Sequence, residues 1–288
     1  MKFIILILLM LLIPLNDTMA NDKMAEDHTL TLNEEEIKQY AYPFIGTPFI
    51  NEDKLHYLIE DLNEKVYKDP INAEFDEMGE IIQEKSGIEL DENKFNTLFR
   101  TSFYAGDDME IEVPKQPIQP RVDSELLAEI SVQEMGSFVT TFKQSNVERT
   151  HNIGLASEAI NDYVVFPGER FSFNEVVGER TEERGYMRAP VIVKGELAED
   201  IGGGICQVSS TLYNAVDLKG IQIVERYAHS RSVPYVPPGR DATVSWWGPD
   251  FVFENMYNQP ILVRAKADDG KMIVTIYSSD RVEYASDE

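Results

Sequence analysis

The stretch Gly202-Gly203-Gly204-Ile205-Cys206-Gln207-Val208-Ser209-Ser210-Thr211-Leu212-Tyr213-Asn214-Ala215-Val216 decides the fold class. Val208, Leu212, Ala215 and Val216 fall at i, i+4, i+7 and i+8, one apolar stripe of a helix. The spacing predicts a helix from about residue 206 to residue 219, opened by three glycines and stopped by Gly220. Downstream, residues 221–229 and 242–247 read as strands. Residues 261–267 and 271–277 flank Asp268-Asp269-Gly270, a hairpin signal. Upstream, Val191-Ile192-Val193 reads as a strand, and Ile153, Ala156, Ile160 and Val164 mark a second helix. Pro167-Gly168 follows that helix as a turn. The C-terminal half is therefore expected to be α+β, a central helix packed on antiparallel strands.

Cys206 carries the chemistry this arrangement suggests. A helix N-terminus offers backbone N–H donors and a positive end, and both favour thiolate over thiol. The glycines let the chain turn sharply and let a substrate approach closely. Gly203, Gly204, Gln207 and Ser209 are the expected substrate-binding or oxyanion group. A thiolate also needs a base. His229 ends the predicted strand after the helix, and Asp241 begins the next, where it can orient the imidazole. Asp250 is the competing carboxylate. Cysteine at a helix start, then histidine, then aspartate resembles the order in transglutaminase-like enzymes; papain-like enzymes are similar, usually with asparagine third. The competing reading makes Cys206 a small packed residue, His229 a structural histidine and Asp241 a turn residue.

Composition narrows the partners. The 288-residue chain has 26 Lys plus Arg against 51 Asp plus Glu, a formal net charge of -25. Such a surface repels nucleic acid and anionic lipid. One cysteine excludes an internal disulfide and a four-cysteine or two-cysteine, two-histidine zinc site. Four histidines make a His-rich metal site unexpected, and no cofactor is implied. The triple glycine lacks both the Walker and the dinucleotide spacing. Trp246-Trp247 and Tyr235 could stack on a sugar, although strand aromatics more often fill cores. Glu182, Glu183, Glu196, Glu199 and Asp200 read as solvated surface rather than as glycosidase carboxylates.

The rest of the chain supplies context. Lys2 followed by the apolar run Phe3–Leu15 and the small residue Ala20 reads as a cleaved export signal over residues 1–20. No lipidation cysteine follows it, and no later segment is apolar enough to span a bilayer. Secretion, with no stable transmembrane anchor after cleavage, is the expectation. Residues 21–50 form an acidic lead expected to be poorly ordered. Over residues 51–113, Leu55, Leu58, Ile59, Leu62 and Val66 make one helical stripe, ended by Asp69-Pro70. Residues 71–75 read as a short strand. Asp91 caps a further helix with Phe95, Leu98 and Phe99 on one side. Pro114, Pro117 and Pro120 recur at every third position and predict an extended spacer over residues 114–124. The C-terminal domain then covers residues 125–280, with a tail at 281–288.

The C-terminal half resembles the VanW family. The resemblance rests on Arg149-Thr-His-Asn-Ile153, Phe166-Pro-Gly-Glu-Arg-Phe-Ser-Phe-Asn174, Gly202 through Ala215, His229-Ser230, Gly239-Arg-Asp-Ala-Thr-Val244 and Asp250 through Asn255. It covers roughly residues 138–267. Residues 51–113 resemble the peptidoglycan-binding module often placed before such a domain, through Pro70-Ile-Asn-Ala73 and Gly87-Ile-Glu-Leu-Asp91. The resemblance implies an extracytoplasmic, wall-associated protein whose partner is peptidoglycan or its peptide precursors. It supplies no reaction. A cysteine amidase, peptidase or transpeptidase-like acyl transferase is the enzymatic expectation. The alternatives are a non-catalytic wall-binding protein or a scaffold.

Overall fold

A computed structural model describes residues 29–43, 49–106, 108–193 and 196–284. The expected export signal lies outside the described residues, as do residues 21–28 of the acidic lead and residues 285–288 of the tail. The chain forms two compact units, Met1–Ile71 with Lys85–Arg121 and Asn72–Glu84 with Val122–Glu288. The single boundary expected at the prolines is thus three crossings, because residues 72–84 belong to the C-terminal unit.

In the N-terminal unit the Glu52–Val66 helix buries the predicted stripe, and Asn51 caps it by accepting from the Lys54 amide at 3.1 Å. The Glu92–Ala105 helix, capped by Asp91, buries Phe95, Phe99 and Phe103. Leu98 stays 37% exposed, because at i+3 from Phe95 it sits at the margin of the i, i+4, i+8 stripe. The acidic lead is not loose throughout. Thr29–Leu32 pairs antiparallel with Met109–Glu112 and buries Leu30 and Leu32 in the same core. The proline-rich stretch is extended, but it is no free spacer: Lys115–Ile118 pairs with Gly87–Leu90. Pro117 is tolerated there because the strand has one neighbour only, so one edge needs no donor.

The C-terminal unit is mixed α+β. A four-stranded antiparallel sheet runs in the order Gln133–Thr141, Lys271–Ser278, Ile261–Asp268, Tyr163–Val165. The predicted hairpin is present, with Asp268 paired to Lys271 and both turn residues at positive φ, Asp269 at 44° and Gly270 at 69°. The helices Val147–Ile160 and Ile205–Ala215 lie against this sheet and share its core. Thr211 of the second helix reaches Thr140 of the sheet, Oγ1 to Oγ1, at 2.8 Å. A three-stranded sheet of Ile221–Glu225, Val252–Asn255 and Arg170–Ser172 contributes Ile221, Phe253 and Phe171 to the same core. Arg188–Val193 and Glu196–Ile201 form a two-stranded ribbon leading into the glycines.

Two strand expectations need correction. The strand predicted for residues 221–229 ends at Glu225, after a bulge between Ile223 and Glu225. Residues 242–247 are not a strand; the single bridge Tyr227 to Thr243 is all the ladder that forms. Pro234, Pro237 and Pro238 lie between them, and prolines cannot donate to a ladder. His229 and Asp241 therefore sit in a loop.

Candidate active site

The glycines act mainly through close packing. A Cβ on Gly203 would lie 2.5 Å from the Ala189 carbonyl oxygen. A Cβ on Gly204 would lie 2.8 Å from Arg149 Cγ, and Gly204 holds φ at 111° as the helix N-cap. Asn152, fully buried, fixes this corner. Its side-chain amide donates to the Met187 and Gly203 carbonyls at 2.8 and 3.0 Å, and its oxygen accepts from the Met187 amide at 2.8 Å. Cys206 thus enters the Ile205–Ala215 helix at its second residue, half-buried, with its sulfur in a cleft of about 1150 Å³.

The same helix holds the loop that faces the sulfur. Ser209 Oγ donates to the Ala242 carbonyl at 2.6 Å, and Ser210 Oγ accepts from the Ala242 amide at 2.9 Å. Asn214 donates to the Arg240 carbonyl at 2.8 Å and accepts from Arg240 Nε at 2.7 Å. Thr243 and Val244 are carried against the sulfur, with Thr243 Oγ1 at 3.8 Å and the Val244 carbonyl oxygen at 3.4 Å.

Asp241 captures the histidine. Its Oδ2 accepts from the His229 backbone amide and from Nδ1, each at 2.6 Å. Arg226 steadies the carboxylate segment, donating from Nε to the Asp241 carbonyl at 2.7 Å and from Nη2 to the Gly239 carbonyl at 2.6 Å. With Nδ1 engaged, Nε2 is the ring nitrogen left over, and His229 and Cys206 line the same cleft. His229 keeps only 6% of its side chain exposed. Asp250 is engaged elsewhere: it accepts from Ser172 Oγ at 2.5 Å and from the Asn174 amide at 2.9 Å, capping the Phe173–Val177 helix.

These contacts set the charge state. Burial pushes the Cys206 thiol up, but the hydrogen bond and charge of His229 outweigh it and hold the thiol below its ordinary value. Burial disfavours the imidazolium, yet Cys206 and Asp241 together raise His229 above the usual histidine value. Asp241 sits below the usual carboxylate range, since the His229 hydrogen bonds outweigh its burial. The directions of these shifts favour a thiolate–imidazolium pair oriented by a carboxylate.

The sequence brings Cys206, His229 and Asp241 to one place, while the expected oxyanion group divides. Gly204 and Gln207 line the cleft. The Gln207 amide, however, donates to Thr140 Oγ1 at 2.8 Å and the Thr141 carbonyl at 3.1 Å, and its oxygen accepts from Arg149 at 2.8 Å. Ser209 points at Ala242, and Gly203 packs on the ribbon. Sequence reasoning missed Arg149 and Arg180 as parts of the cleft wall, whereas Tyr235, Trp246 and Trp247, considered for stacking on a sugar, do line it. Burial pushes the Tyr235 hydroxyl well up, so it stays protonated and a donor. The signal of the two arginines was faint: Arg149 sits three residues before Asn152, on the helix face that meets the glycines.

An α+β domain with a cysteine at a helix start and a His–Asp pair on a facing loop is therefore the class of protein that the fold and site define. The chain belongs to the VanW-like family: residues 148–277 match the family model described as VanW like protein. It is 56% identical over 250 residues to YoaR of Bacillus subtilis (strain 168), covering 87% of this chain and 82% of that protein. It is 27% identical over 135 residues to the vancomycin B-type resistance protein VanW of Enterococcus faecalis (strain ATCC 700802 / V583), covering 45% of this chain and 49% of that protein. No solved structure matches the chain.

Proposed function

We propose that the chain is an exported cell-envelope protein whose Cys206 carries out acyl transfer or hydrolysis on peptidoglycan stem peptides or their precursors. The observation that carries this reading is that Cys206 and His229 line one solvent-reachable cleft, with Asp241 buried behind the imidazole and bonded to its Nδ1. Membership of the VanW-like family supports the envelope setting, and one relative bears a vancomycin-resistance name. The apolar segment Phe3–Leu15 supports export.

In the proposed reaction the Cys206 thiolate attacks an amide carbonyl carbon and a C–S bond forms. The imidazolium of His229 gives its proton to the leaving nitrogen as the C–N bond breaks. Water or an amine then attacks the thioester, His229 takes the incoming proton, and the C–S bond breaks to restore the thiol pair. Asp241 orients the imidazole throughout. The N-terminal unit holds the protein on the wall.

Full chain incubated with soluble muropeptides and followed by mass spectrometry tests this. A new product or a covalent acyl adduct is expected, and Cys206→Ala abolishes both while leaving the thermal midpoint nearly unchanged. Absence of any Cys206-dependent product or adduct, together with a thiol that ignores iodoacetamide at about pH 6, overturns catalysis and leaves wall binding alone.

A further inference from the structure

The cleft that holds Cys206 is more cationic inside than the chain around it. Its wall includes Arg149 and Arg180, both largely enclosed, while Lys143, Glu179 and Asp200 lie exposed at its edge. Neither guanidinium is within ion-pair distance of a carboxylate among the described residues, in a chain carrying 51 Asp plus Glu. Arg149 donates to the Gln207 side-chain oxygen at 2.8 Å, and Arg180 donates from Nη2 to Asn174 Oδ1 at 2.8 Å. Arg180 Nη1 is buried and has no hydrogen-bond partner among the described residues. Trp246 Nε1, on the same wall, is also buried and without a hydrogen-bond partner among the described residues.

Buried donors without acceptors are costly and uncommon. A guanidinium stays charged in a protein, so burial leaves a positive charge in want of an anion. Alongside Asp250 at Arg180, the Cys206 thiolate provides part of that balance for both arginines. It cannot satisfy the orphan N–H groups of Arg180 and Trp246, which point to a ligand acceptor. The chain's own negative field makes accidental anion capture improbable, so cations placed here act locally.

We propose that the cleft selects substrates bearing a free carboxylate near the carbonyl attacked by Cys206, held by Arg149, Arg180 and the Trp246 N–H. This deepens the cysteine acyl-transfer reading and rests on it for the identity of the attacked bond. Binding of the carboxylate stands on the cleft alone. Two sources share the chemistry, a terminal carboxylate and the side-chain carboxylate of an acidic residue.

The test uses full-length Cys206→Ala protein and a short synthetic peptide with one glutamate and a free C terminus, with binding read by calorimetry. Two further peptides carry a C-terminal amide, or glutamine in place of glutamate. One of these should bind about tenfold or more weakly, which identifies the source. Arg180→Gln should reproduce that loss for the parent peptide and add nothing for the weak one. Trp246→Phe, which removes the N–H and keeps the ring, should show the same pattern and guards against misfolding of the arginine variant. Equal binding of all three peptides overturns the proposal, as does an equal loss on every peptide in both variants. Turnover by the unsubstituted protein separates the two readings. Carboxylate-dependent binding without Cys206-dependent turnover retains the site and rejects the reaction. Turnover indifferent to both carboxylates does the reverse.

Discussion

Cys206 and His229 depend on each other for their charge, and the direction of each shift makes a kinetic prediction. The thiol is held below its ordinary value by the imidazolium; burial alone would push it the other way. Full chain should therefore react with iodoacetamide well below the pH at which an ordinary cysteine does. In His229→Asn burial is opposed only by the weaker contacts of Thr243 and Val244, and the inflection of the rate–pH profile moves up. Each unit of that movement lowers the thiolate fraction about tenfold below the inflection, so the rate at pH about 6 should fall at least about tenfold. An unmoved inflection would separate the two side chains functionally. Asp241→Asn acts one step back. It keeps one oxygen for the His229 donors but removes the charge that favours imidazolium. On the proposed mechanism kcat drops about a hundredfold or more, with the alkylation inflection moving in the same direction as in His229→Asn. Retention of full kcat would reduce Asp241 to a loop anchor.

At the scale of elements, the Ile205–Ala215 helix was the most legible feature, because a 3.6-residue apolar period and a glycine start are local signals. Cys206, His229 and Asp241 could be named for the same reason, as residue types in a plausible order. How the last two reach the sulfur was not legible. Two successive strands were expected to carry them, yet His229 is placed by a carboxylate and by a loop that Ser209, Ser210 and Asn214 fasten to the helix. Those are tertiary hydrogen bonds of side chains that read merely as polar helix positions. Ser210→Ala should lower the unfolding free energy by about 1–3 kcal/mol, since the buried Ala242 amide loses its acceptor. Chemical denaturation measures it, and a change under about 0.5 kcal/mol would mean that the loop is held by other contacts. Gly203→Ala tests the other end. Its Cβ meets backbone atoms of Ala189 and Pro190, which cannot move as a flexible side chain would. A loss of about 2–4 kcal/mol is expected in the same assay, and a neutral result would show that the ribbon yields easily.

For the whole molecule, the C-terminal unit is more than the contiguous stretch 125–280 that sequence texture marks out, because its core continues into residues 72–84. Ala73, Phe75 and Ile81 pack with Val122, Leu127, Ile130, Val164 and Leu262. Arg264 lies over the Phe75 ring at 4.1 Å while pairing with Asp162 at 2.9 Å. The Ala73 amide donates to the Val122 carbonyl at 2.9 Å, and Glu84 accepts from the Ser124 amide at 2.9 Å. None of this was visible in sequence, where the two segments are separated by a proline-rich stretch that reads as a spacer. A fragment of residues 122–288 should therefore be incomplete. Exposing Phe75-facing and Ile81-facing core costs about 3–6 kcal/mol. For a domain of this size that lowers the thermal midpoint by roughly 10 °C or more relative to the same unit in the full chain. The fragment should bind a hydrophobic dye, and a synthetic peptide of residues 72–84 added in trans should restore part of the midpoint in a concentration-dependent way. A fragment that melts with the full chain and ignores the peptide would show that residues 72–84 merely rest on the C-terminal unit.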